Sequence, residues 1–129
     1  MAVTVKYPKS VKIGAKSYDI FWSADEWMNR PEDKREDGAW AMTNHPKLGI
    51  WISPDLHPVN KRETLLHEIL HCLFAGSGGD ARNMTMNNTV DHFDIEEYVI
   101  TRLEAPLFAV LQDNPGVLAY IVIGADSDR

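Results

Sequence analysis

Cysteine is almost absent. Cys72 is the single one in 129 residues, so no internal disulfide can staple the fold, and the chain fits a reducing compartment. Positive charge is scarce too. Thirteen Lys and Arg stand against 19 Asp and Glu, a formal net charge of -6, whereas a nucleic-acid backbone selects a basic face. No apolar run approaches the roughly 20 residues that a membrane helix needs. The opening MAVTVKYPKS lacks the charged-then-apolar layout of a secretory signal. Internal repeats and low-complexity segments are missing. These absences point to a cytoplasmic protein with no nucleic-acid and no membrane partner.

What is present is an ordinary globular composition, 44% hydrophobic and 25% charged, which supports one modest core in a single domain over residues 1–129. Residues 1–59 read as the β-rich part. In VKIGAKSYDIFWS the apolar Val11, Ile13, Tyr18, Ile20 and Trp22 flank a turn at 14–16. GAWAMTN and LGIWIS flank His45, Pro46 and Lys47 and predict a second hairpin, with Trp40 and Trp51 in the core. Between the hairpins, SADEWMNRPEDKREDG predicts one helical turn and a charged, solvated loop.

Residues 60–76 predict a helix, with Asn60 as N-cap, Glu63 three residues on, and Gly76, Gly78 and Gly79 at its end. Residues 77–91 predict an irregular polar loop that can serve as a lid or as plain surface. Residues 92–123 predict the helical part. A helix over 93–112 carries Glu96, Val99, Ile100, Leu103, Leu107, Val110 and Leu111 at helical spacing, with Pro106 a site for a kink or break. Asn114 and Pro115 then start a short last helix through GVLAYIVI, with a strand as the alternative. The expected class is α+β: a small antiparallel sheet of three to four strands packed on two helices.

The chemistry lies in TLLHEILHCLF. His67 and His71 are four apart, so on a helix both imidazoles project from one face, one turn apart. That spacing lets both ring nitrogens reach one Zn²⁺ at about 2.0–2.1 Å. Glu68, one step around the helix, is placed to take a proton from water beside the metal, the arrangement H-E-x-x-H. By composition a chance match anywhere in this chain is about 1%, and the flanking Leu65, Leu66, Ile69, Leu70, Leu73 and Phe74 supply a helical context. Burying two His and one Glu without a metal would carry a heavy desolvation cost.

A catalytic zinc takes three protein ligands. Downstream candidates are Asp91, His92, Asp94, Glu96 and Glu97. Glu96 is favoured because it shares the apolar stripe of Val99, Ile100, Leu103 and Leu107, where an inward carboxylate needs a partner. Glu97 falls with Thr101 and Glu104 on a more polar face. His92 would make the site three-histidine.

HEILH, followed some 25 residues later by EEYVITRL, resembles the minimal zincin metallopeptidases of the gluzincin kind, in particular ImmA/IrrE-like proteins and short H-E-x-x-H proteins of phages and prophages. The resemblance covers roughly residues 10–112. It implies a zincin-like α+β core, zinc on His67, His71 and Glu96, and Glu68 as general base. A chain this short leaves room for only a small cleft and so for a narrow protein or peptide substrate, and the resemblance suggests a regulatory cleavage in phage or host biology, in the host cytoplasm if the chain is phage-encoded. The chain departs from that family at Val99 and Ile100, where an Ala-Asn pair is usual, and it has no helix-turn-helix or zinc ribbon.

In zincins a strand beside the metal helix pairs with substrate, and residues 48–53, LGIWIS, are the expected strand. His57 and Tyr98 are candidate oxyanion stabilisers, each against a simpler turn or surface role. Cys72 is expected as a small buried hydrophobe. The second reading keeps the zinc and drops proteolysis, making the chain an interaction or assembly protein; a third is a metal-free core.

Overall fold

Two hairpins of alternating apolar residues build the sheet. The computed structural model describes residues 4–31, 39–76 and 92–129, with the side chains of 92–98, 100, 101 and 104 outside that description. β1 (Ser10–Ile13) and β2 (Lys16–Phe21) pair antiparallel about a turn in which Gly14 takes φ +64°, a left-handed conformation that glycine adopts freely. Helix α1 (Ala24–Met28) follows, held by a reciprocal capping box between Ser23 and Glu26. β3 (Ala41–Asn44) and β4 (Gly49–Ile52) form the second hairpin. Helices α2 (Pro58–Gly76), α3 (His92–Asp113) and α4 (Pro115–Ile123) come next, then a 3-10 turn at Asp126–Asp128. The class is α+β, with a four-stranded sheet and four α-helices among the described residues.

The sheet is mixed, which corrects the expected antiparallel one. Its order is β1-β2-β4-β3, and β2 runs parallel to β4 with Ile20 opposite Ile50. Side-chain alternation decides which face of a hairpin is apolar, but leaves open which of its strands docks on the next hairpin. Here β4 is buried at every position and β3 only at alternate ones, so β4 takes the middle. Its backbone is bonded on both sides: the Leu48 carbonyl accepts from Asp19 N–H at 2.9 Å, and Ser53 N–H donates to the Trp40 carbonyl at 2.8 Å. Residues 48–53 therefore have no open edge for a substrate strand, contrary to expectation. Among the described residues β3 pairs with β4 alone, and the edge belongs to β3.

One face of the sheet carries Val11, Ile13, Tyr18, Ile20, Ile50 and Ile52, buried against Leu65, Ile69, Cys72 and Leu73 of α2, Val110 of α3, and Val117 and Tyr120 of α4. Burying each large aliphatic side chain contributes about 1.5–3 kcal/mol, so this shared cluster, more than helix propensity, seats α2 on the sheet. On the other face Trp51 stacks on Phe21, with ring centroids 4.7 Å apart. The Trp51 ring lies over Gly49, where a Cβ would come within 2.5 Å of it. Trp51 is thus core, as expected. Trp40 is 56% exposed and is not.

Helix α2 starts at Pro58, earlier than the Asn60 cap expected. Proline lacks only an N–H that the first helical position leaves unpaired anyway. His57 is the cap: its carbonyl accepts from Lys61 N–H at 3.0 Å and its Nδ1 accepts from Val59 N–H at 3.2 Å. Helix α3 continues through Pro106 without a break. Residues 115–123 are helical, not a strand. The Asn114 side chain does not cap α4; it accepts from Lys12 N–H at 2.9 Å and donates to the Lys12 carbonyl at 2.8 Å, tying the α3–α4 corner to β1. No single helix among the described residues is long and apolar enough to cross a membrane. The predicted loop over 77–91 lies outside the described residues, as does the charged run over 32–38.

Candidate functional site

Helix α2 divides its residues by angle. Thr64, Leu65, Glu68, Ile69, Cys72 and Leu73 turn toward the sheet and are buried. His67 and His71 fall on the flank and are exposed. Their Nε2 atoms face each other at 3.0 Å, with the rings 4.6 Å apart and nearly perpendicular at 78°. Two ligands at about 2.0–2.1 Å from a tetrahedral zinc lie about 3.3 Å apart, so the pair reaches the metal's spacing by a small ring movement. By donor type and spacing the two imidazoles fit the ion. The expectation that both would be buried is corrected. The apolar neighbours that suggested it occupy the opposite side of the helix, and the desolvation argument therefore applies to Glu68 alone.

Glu68 is 8% exposed. A carboxylate at that depth needs a partner, and it has one: the Thr43 hydroxyl of β3 donates to Glu68 Oε2 at 2.5 Å. The sequence reading missed Thr43. Its signal was available, since β3 alternates about Met42 and Asn44, and Thr43 falls with Ala41 on the side facing α2. A hydroxyl on an inward strand position implies an inward acceptor.

The third ligand is not assigned by contact. Among the described residues, no third His, Cys, Asp or Glu joins His67 and His71 in a group that could hold a metal. The side chains of His92, Asp94, Glu96, Glu97 and Tyr98 lie outside the described residues, as does Asp91. The stripe used to choose Glu96 can be followed. Leu103 and Leu107 pack against the core and Val110 is buried, so this face of α3 does turn inward.

Of the two oxyanion candidates, His57 is occupied as the cap of α2. One turn along α2 from Glu68, around Cys72, the structure brings together residues that the sequence did not group. The Tyr18 hydroxyl lies 3.0 Å from Nδ1 of His45, in the turn of the second hairpin. Both line a cleft of about 520 Å³ with Ile13, Cys72, Leu73 and Pro106. Cys72 is buried, as expected. Burial pushes its thiol up to about 12, opposed by a hydrogen bond with Tyr18 and assisted by the charge of Glu68. Burial likewise pushes the Tyr18 phenol up to about 12. Both groups are neutral at physiological pH and act only as hydrogen-bonding groups. No family model, no curated protein and no solved structure matches this chain.

Proposed function

We propose that the chain is a zinc-dependent peptidase of the minimal zincin kind, of phage or prophage type, acting in the cytoplasm on a narrow range of protein or peptide substrates. The observation that carries this reading is the convergence of two imidazole Nε2 atoms beside a buried glutamate on one helix. His67 and His71 hold Zn²⁺ in this reading. A side chain of α3 completes the set, with Glu96 assigned and Glu97 or His92 as its alternatives. The ion supplies Lewis acidity at a scissile carbonyl. Glu68 is the general base, taking the proton of the attacking water and returning it to the leaving amine. The order of sheet, H-E-x-x-H helix and later Glu-bearing helix supports the zincin assignment. The outer edge of β3, which among the described residues pairs with no other strand and lies next to the Glu68 carboxylate, supports an extended peptide as substrate.

Glu68→Gln tests the reading. Assayed with zinc on a mixture of internally quenched fluorogenic peptides, the variant is expected to keep its metal and its fold and to lose at least about 100-fold in cleavage. Full cleavage by Glu68→Gln would remove the general base and the mechanism with it.

The exposure of both imidazoles favours one further reading, a zinc-binding interaction or assembly protein without proteolysis, in which another chain supplies ligands to the surface pair. It expects zinc-dependent self-association in sedimentation, unaltered by Glu68→Gln, and no peptide cleavage by the wild type.

A further inference from the structure

Strand β3 has two relationships that meet at one residue. The first is to its neighbour. In an antiparallel pair, residues alternate between those that exchange backbone hydrogen bonds with the partner strand and those whose N–H and C=O point the other way. Ser53 N–H donates to the Trp40 carbonyl, and the register sets Met42 opposite Trp51 and Asn44 opposite Gly49. Trp40, Met42 and Asn44 are therefore the residues bonded to β4. Ala41 and Thr43 turn their N–H and C=O to the side on which, among the described residues, no strand pairs. The second relationship is to α2. The side chains of Ala41 and Thr43 share the face on which α2 lies, and the Thr43 hydroxyl donates to Glu68 Oε2.

From this we infer that Thr43 is a positioning residue for the general base: its backbone pairs with an incoming extended peptide while its hydroxyl holds one oxygen of Glu68, so that one residue both seats the substrate and orients the carboxylate. The inference rests on the peptidase reading above. A carboxylate that swings freely samples productive and unproductive rotamers, whereas one oxygen pinned by a donor on a paired strand leaves the other aimed. The hydroxyl also partners a charge that the fold has buried, so the positioning contact is in place before substrate arrives.

The test compares Thr43→Val, which keeps the shape and the backbone and removes the hydroxyl, with Thr43→Ser, which retains the hydroxyl. Both are assayed at zinc saturation on the mixture of internally quenched peptides, with zinc content and circular dichroism measured alongside. Expected are a fall in kcat of about 10- to 100-fold for Thr43→Val with KM within about twofold of wild type, and recovery to within about threefold for Thr43→Ser. Thr43→Ala takes the place of the valine variant if that does not fold. A Thr43→Val enzyme with wild-type kcat, or a loss that Thr43→Ser fails to recover, overturns the role of Thr43 while leaving the peptidase standing. A wild-type protein that binds zinc and cleaves nothing in the mixture overturns the peptidase reading and this role together. A second readout needs no turnover. The melting shifts of Thr43→Val and Glu68→Ala are expected to be non-additive in the double variant, and additive shifts would mean that the two side chains are not coupled.

Discussion

His67 and His71 bring their Nε2 atoms to 3.0 Å across one turn of α2, while Glu68, the residue after His67, is buried and takes a hydrogen bond from Thr43 of β3. One helix thus presents two imidazoles to solvent and a carboxylate to the sheet.

That arrangement predicts binding of one zinc per chain. Elemental analysis of protein dialysed against zinc and then against buffer is expected to return stoichiometric metal. Thermal stability is expected to rise by about 2.7 kcal/mol when free zinc is at a hundred times the dissociation constant. His71→Ala abolishes the rise and moves the metal-free melting by no more than about 0.5 kcal/mol, because the ring is exposed. A zinc-insensitive melt of the wild type removes the metal from the account.

The edge of β3 is open to test without touching the base. Ala41 has its N–H directed away from β4 in the register set by the Trp40–Ser53 bond. Ala41→Pro removes that donor at a position where an edge strand tolerates proline. A rise in KM of about 10-fold with little change in kcat is expected on the peptide mixture. An unchanged KM would place the substrate elsewhere.

Cys72 predicts an inert thiol. Burial holds it protonated, with its pKa pushed up to about 12, well above pH 8, and it is covered by the fold as well. Ellman's reagent should leave the native protein unmodified at pH 8 and react with one thiol per chain once guanidinium unfolds it. The sign follows from the direction of the shift: raising the pH toward the raised pKa makes the folded thiol reactive later than the unfolded one. Rapid labelling of the native chain would contradict the packing of α2 on β2.

Much of the local structure was legible because local periods carry it. The alternation of Val11, Ile13, Tyr18 and Ile20 marked the inner face of the first hairpin, and the His67–His71 spacing marked one face of α2. Local signals also misled. The apolar residues around HEILH suggested buried imidazoles, yet Leu65, Ile69 and Leu73 belong to the sheet-facing side and the histidines to the flank. The expected Asn60 cap fell too late in the chain, because Pro58 is the first residue of α2 and only the interior of a helix excludes proline. Trp40 and Trp51 looked equivalent, and strand position separated them: Trp51 lies in the central strand, and Trp40 precedes the edge strand.

By itself the chain determined most of its elements, the inward face of the first hairpin and the pairing of two imidazoles one helical turn apart, because each depends on spacing within a few residues. Tertiary structure alone decided that β4 lies inside the sheet and β3 at its edge, and that a threonine 25 residues before Glu68 holds its carboxylate. Those outcomes depend on which strand's apolar surface is covered from both sides. That is a competition between distant segments for the same core, and no local period encodes it.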